Sequence, residues 1–173
     1  MTTISIAVDD RAVLSSLARA RVLLGDMRPL LRDIGAGLVS NIKQNLGRGM
    51  TPWGDAMRPL RYRNGVPLND TRQHIYNRIT HRLVGSNAVE VGMLDSATAK
   101  IGRVHQYGAT ILPKQGKYLR FQTHDGAWHT LRQAVIPARP FLPIHAGRVD
   151  LPATWRDEIL DQIREHLAKA MRP

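Results

Sequence analysis

The stretch HIYNRITHRLVGSNAVEVGML, residues 74–94, decides the class of fold. Ile75, Asn77, Ile79, His81 and Leu83 fall on one side of an extended chain. Gly85-Ser86-Asn87 is a turn, and residues 88–94 return from it as an antiparallel partner. A period of two is the signature of a half-buried strand. A helix would instead place its apolar residues three and four apart.

That helical spacing appears on both sides of the hairpin. Upstream, Met27, Leu31, Ile34, Leu38, Ile42 and Leu46 make one continuous stripe, with Asp26 placed to cap the helix and Pro29 in its first turn. Gly35 and Gly37 interrupt the stripe and read as sites of close packing against another backbone, with a hinge as the alternative. Further upstream, residues 4–8 (ISIAV) read as a short strand. A first helix follows, capped by Asp9 or Asp10, carrying Val13, Leu14, Leu17 and Leu24 and ending at Gly25. Downstream, DSATAKIGRVHQYG (95–108) opens on a capping residue and reads as a short helix to Gln106. Residues 117–132 form a second hairpin around Asp125-Gly126. The last helix, capped by Asp150 or Thr154, carries Trp155, Ile159, Ile163, Leu167 and Met171 at intervals of four. Its charged outer face is a solvated surface.

Two stretches fit neither period. Residues 47–71 hold Pro52, Pro59 and Pro67 with four glycines, and interleave Arg48, Arg58, Arg61 and Arg63 with Trp53 and Tyr62. A long unpatterned segment of that composition reads as an extended basic loop or arm that meets a partner. Residues 136–144, IPARPFLPI, place Pro137, Pro140 and Pro143 among core-like residues. Proline cannot sit in a helix interior and biases the residue before it toward extended backbone. The segment is therefore a stiff, partly buried rod carrying one guanidinium, Arg139. Together the elements predict one α+β domain over residues 1–173: an antiparallel β-sheet with long N-terminal and C-terminal helices packed on it, and a long basic loop.

At 173 residues with 43% apolar side chains, the chain can bury a core. Its 25 Lys and Arg against 14 Asp and Glu give a net charge of +11, which suits nucleic acid, an anionic membrane or an acidic protein partner, and composition alone does not choose among them. There is no cysteine, and the N-terminus lacks the basic and apolar regions of a signal peptide. No stretch is apolar enough for a membrane span. The seven histidines have no metal-ligand spacing, and His124 and His129 flanking the second turn are too few for a site. No nucleophile elbow, phosphate loop or dinucleotide fingerprint is present, and the close carboxylates read as helix-end residues. The sequence thus argues against an enzyme and implies no cofactor or metal. No known nucleic-acid-binding signature accompanies the positive charge either.

Three motifs in order carry a family resemblance: TPWGDAMRPLRYRNGVPLNDTRQHIYNRIT (51–80), VHQYGATI (104–111) and IPARPFLPI (136–144). They resemble the phage virion morphogenesis, or tail-completion, family of Mu-like and P2-like contractile-tailed phages. The chain departs from that pattern at Arg72 and Ala109, where the family has glycine, and at Tyr107, where it has phenylalanine. The resemblance implies a virion protein, assembled in the bacterial cytoplasm, at the head-proximal end of the tail. There it would form a homo-oligomeric ring, a hexamer, against the tail terminator or tail tube and the head–tail connector, with genomic DNA in the lumen. Arg48, Trp53, Arg58, Arg61, Tyr62, Arg63, Arg72 and Arg139 are then the interface or DNA-facing candidates. His105, Tyr107, Gly108, Pro137, Pro140 and Phe141 are structural. The alternative is a free basic nucleic-acid-binding protein.

Overall fold

A computed structural model describes residues 25–61, 64–69, 74–123 and 125–171, together with Ser15, Ala18, Arg21 and Val22. The strand expected at 4–8 lies outside the described residues. So does the helix expected from Val13 to Leu24, except that the four isolated positions are helical. Gly25 is still helical, and the break before the next helix falls at Asp26-Met27.

Helix α1 spans Arg28–Arg48. The Asp26 carboxylate accepts from the Arg28 backbone N–H at 3.1 Å and its guanidinium at 2.7 Å. That pairing lowers the Asp26 pKa to about 2. The stripe buries Leu30, Ile34, Ile42 and Leu46; in the first turn Leu30 takes the inward place that the periodicity assigns to Leu31.

The deciding stretch forms the expected hairpin only from Ile79 onward; residues 74–78, with Ile75 and Asn77, are turns in place of strand. After a single 3₁₀ turn at Tyr76–Arg78, β1 (Ile79–Val84) pairs antiparallel with β2 (Ala88–Met93), from Ile79 opposite Met93 to Val84 opposite Ala88. Helix α1 lies across this hairpin. Gly35 faces it so closely that a Cβ there would come within 2.7 Å of the His81 ring and 2.8 Å of Val89. The expected close packing is thus against side chains of the hairpin.

Helix α2 (Ser96–Tyr107) is capped by Asp95, whose carboxylate accepts from the Ala97 N–H at 3.2 Å. Then come β3 (Ala109–Ile111), β4 (Leu119–Gln122), β5 (Trp128–Leu131), β6 (Ala134–Ile136), β7 (Ile144–His145), β8 (Arg148–Val149) and α3 (Ala153–Met171). Neither candidate cap opens α3: it starts after Pro152, between Asp150 and Thr154.

The architecture is α+β, but the strands of the described residues divide into four antiparallel pairs, β1–β2, β3–β6, β4–β5 and β7–β8, in place of one sheet. Strands β3 to β8 are only two to four residues long, and Pro113, Pro137, Pro140 and Pro143 interrupt the chain between β3 and β4 and between β6 and β7.

The core gathers residues from distant segments: Ile42 and Leu46 of α1, Met57, Ile75, Ile79, Met93, Phe141 of the rod and Trp155 of α3. Met57 shows that the basic segment is not an arm over its first part. Residues 49–57 fold back on the end of α1 through a Met50–Ala56 bridge and a 2.8 Å bond from the Met57 N–H to the Gly49 carbonyl. Thr51 is buried in this turn. Once Met57 is anchored, the polypeptide beside it cannot swing free.

Gly35→Ala is expected to destabilise the protein by about 1–3 kcal/mol by chemical denaturation, the clash outweighing the roughly 1 kcal/mol of helix propensity gained. Gly37→Ala meets only the mobile end of Gln162 and should be close to neutral. Equal effects of the two substitutions would refute this account of the α1–hairpin contact.

Candidate interaction surfaces

The motifs VHQYGATI and IPARPFLPI are side by side in the structure. Short strands β3 and β6 pair Ala109 with Ile136 and Ile111 with Ala134, joining segments that the sequence keeps some 25 residues apart. Gly108 makes the junction possible. Its φ is +76°, and a Cβ would lie 2.9 Å from both the Ala138 nitrogen and the Ile136 carbonyl oxygen. Any larger residue would strain the backbone and push the rod away.

Two polar side chains lock the rod in place. Gln106, 4% exposed, accepts from the Phe141 and Leu142 N–H groups at 3.0 Å each through Oε1 and donates to the Leu142 carbonyl at 3.0 Å through Nε2. Arg139 is 6% exposed. Its own N–H donates to the His105 carbonyl at 2.7 Å. Its guanidinium donates from Nε to the Arg58 carbonyl at 2.7 Å and from Nη2 to the Pro59 carbonyl at 2.8 Å. Three segments, the end of α2, the rod and residues 58–59, thus become one unit.

Arg139 therefore leaves the set of DNA-facing cations, because its fork is spent on backbone carbonyls inside the subunit. Arg48, Arg58 and Arg61 are exposed. Trp53 is half-buried, meeting the His145 ring edge-on at 6.3 Å, so it packs within the subunit more than it projects. Tyr62, Arg63 and Arg72 lie outside the described residues. Phe141 is 2% exposed, while Pro137 and Pro140 are half-buried. Tyr107 is exposed, which gives its hydroxyl access to water.

Beside the clamp, Tyr107, Val135 and Arg58 line a shallow hollow of about 490 Å³, and Ile111 and Leu112 are exposed just beyond. A second groove, of about 610 Å³, runs under the β4–β5 hairpin between Phe121 and Leu131 on one side and Pro59 and Pro137 on the other. Arg61, His105 and Arg139 also line it. Among the described residues, no group of three or more histidines and carboxylates could hold a metal ion, and no helix is long and apolar enough to cross a membrane.

Sequence reasoning missed Gln106, which sits inside a quoted motif but looks like an ordinary polar residue near a helix end. The one available signal was a glutamine on the last turn of a helix, close to a proline-rich segment whose N–H groups need acceptors.

His105 is half-buried, with Nδ1 buried and unbonded. Desolvation, and secondarily the Arg139 charge, lower its pKa below the usual 6.5. The unfolded chain therefore takes up this proton first as pH falls. Stability is lost on acidification from about 6.5 down through the folded-state pKa. A His105→Gln variant should lose less melting temperature than the parent between about pH 7 and 5; identical losses would overturn this. Gln106→Leu orphans the Phe141 and Leu142 N–H groups and leaves the Leu142 carbonyl only the Ile144 N–H, and is expected to destabilise by about 2–5 kcal/mol in urea titration. A change below about 0.5 kcal/mol would mean that water replaces the amide.

Comparison with known proteins agrees with this ordered set of motifs. A family model for the phage virion morphogenesis family matches residues 8–168. No curated protein and no solved structure matches the chain. The match takes in all three motifs, the clamp that joins two of them, and both helices packed around the core. The chain belongs to the phage virion morphogenesis family.

Proposed function

We propose that this virion morphogenesis protein is a structural subunit at the head-proximal end of a phage tail. It joins copies of itself in a ring, completes the tail and makes it competent to join the DNA-filled head. The observation that carries this reading is the family match over nearly the whole chain, including the clamped motifs. The clamp suits the role: a ring subunit must present one shape to each neighbour, and proline-stiffened segments lose less entropy when they order. Head-to-tail contacts whose rotation closes give such rings. Exposed Tyr107, Ile111, Leu112 and Val135 supply apolar surface beside the clamp of the kind that protein contacts use. Tail terminator or tail tube and connector are the neighbours in this reading, which is one of assembly and not of catalysis.

The +11 charge favours a second reading, a free nucleic-acid-binding protein. The two are separated by electron microscopy of lysates from a phage carrying a stop codon in this gene. DNA-filled heads beside unattached or irregularly ended tails are the expected outcome. Normal complete virions would overturn the assembly reading and leave salt-dependent DNA binding as the account of the charge.

A further inference from the structure

The β4–β5 hairpin is, like the other short strand pairs, tied little to the helices and to the first hairpin. Its strands pair from Leu119 opposite Leu131 to Gln122 opposite Trp128, and neither makes more than glancing contact with another helix or strand. Alternation gives it two faces. Leu119, Phe121, His129 and Leu131 turn inward, with the Phe121 and His129 rings stacked at 5.5 Å. Arg120, Gln122, Trp128 and Thr130 turn outward and are exposed.

On the outer face the Arg120 guanidinium carbon lies 4.6 Å from the centre of the Trp128 ring, and Trp128 is 59% exposed. A guanidinium held flat on an indole keeps its N–H edge free to meet an anion. The strand ends add Lys114, Lys117 and Arg132, all exposed, beside exposed Tyr118. The acid of this segment, Asp125, is turned into its own loop, accepting from the Thr123 hydroxyl and the Ala127 N–H. Arg120 thus stands on the outer face of a two-stranded ribbon, with exposed Lys114, Lys117 and Arg132 in the segments leading into and out of it and no outward carboxylate among its described residues.

We propose that this hairpin is a contact surface for the phosphate backbone of duplex DNA, with Lys114, Lys117, Arg120 and Arg132 on phosphates and Trp128 holding the Arg120 guanidinium in place. Charge complementarity calls for a polyanion, and the two-stranded ribbon form, which fits the major groove, favours duplex DNA over an acidic protein. The proposal deepens the virion reading and rests on it for the source of the DNA, the genome at the head–tail joint.

The test uses the purified full chain and a labelled duplex of about 30 base pairs of mixed sequence, with binding followed by anisotropy between about 50 and 200 mM salt. The parent is expected to bind at low salt and weaken steeply as salt rises. The triple variant Lys114→Gln/Lys117→Gln/Arg120→Gln should bind about tenfold more weakly or worse at low salt, with the log–log salt slope shallower by roughly 2 to 3. A control triple of equal charge change on exposed helix positions, Arg32→Gln/Lys100→Gln/Arg156→Gln, should weaken binding by no more than about threefold. Thermal melts confirm that both variants fold. Equal weakening by the two triples would overturn the proposal, reducing the effect to net charge. Absence of binding by the parent at low salt would overturn it as well, and would point to an acidic protein surface as the hairpin's partner. The virion reading is decided by the lysate micrographs alone, so each can fail without the other.

Discussion

The side-chain amide of Gln106 holds together the part of the molecule on which its shape depends. The rod from Pro137 to Pro143 can offer few backbone bonds of its own, since three of its residues lack an N–H. A carboxylate at this position would answer the Phe141 and Leu142 N–H groups but repel the Leu142 carbonyl. A hydroxyl would not span the gap. The amide serves both donors and the acceptor at once. With those bonds made, Phe141 is delivered into the same core as Trp155 of the last helix and Ile79 of the first hairpin.

Arg139 extends that unit to a third segment. Its planar fork reaches two successive carbonyls, Arg58 and Pro59, which a lysine could not bridge with the same geometry. A guanidinium that sequence reasoning leaves between pairing within or between subunits and contact with DNA is therefore an internal strut. The consequence for the charge is direct: Arg139 is spent inside the subunit, whereas Arg48, Arg58 and Arg61 of the basic segment are among the exposed cations of the described residues. The domain offers partners cations and apolar surface mounted on a braced frame, an arrangement suited to assembly.

Much of the frame was legible because periodicity reports burial. The 79–84 and 88–93 hairpin, the stripe of α1 and the Asp95-capped α2 follow from patterns of two and of three-to-four. The turn at Asp125-Gly126 is also where the chemistry of those residues puts it. Legibility failed for elements too short to have a period. Strands β3 and β6 are three residues each, and β7 and β8 only two, joined through Ala146-Gly147 with both φ values positive. The reading of 47–71 as an extended basic loop or arm left that choice open, and residues 49–57 are a loop folded back on α1. Thr51, Pro52 and Met57 are buried there, at positions with no repeating spacing.

By itself the sequence determined the α+β class, the two long amphipathic helices, the hairpin packed against α1 and the family, through three motifs whose order and composition are local properties of the chain. Only the tertiary structure decided that two of those motifs form one clamp, that Arg139 is buried, that Gln106 is the residue that closes it, and that the strands make four small ladders. The reason is physical. Periodicity encodes which face of an element meets the core, but a hydrogen bond between residues 35 positions apart is specified by the packing that brings them together, and leaves no repeat for a sequence to display.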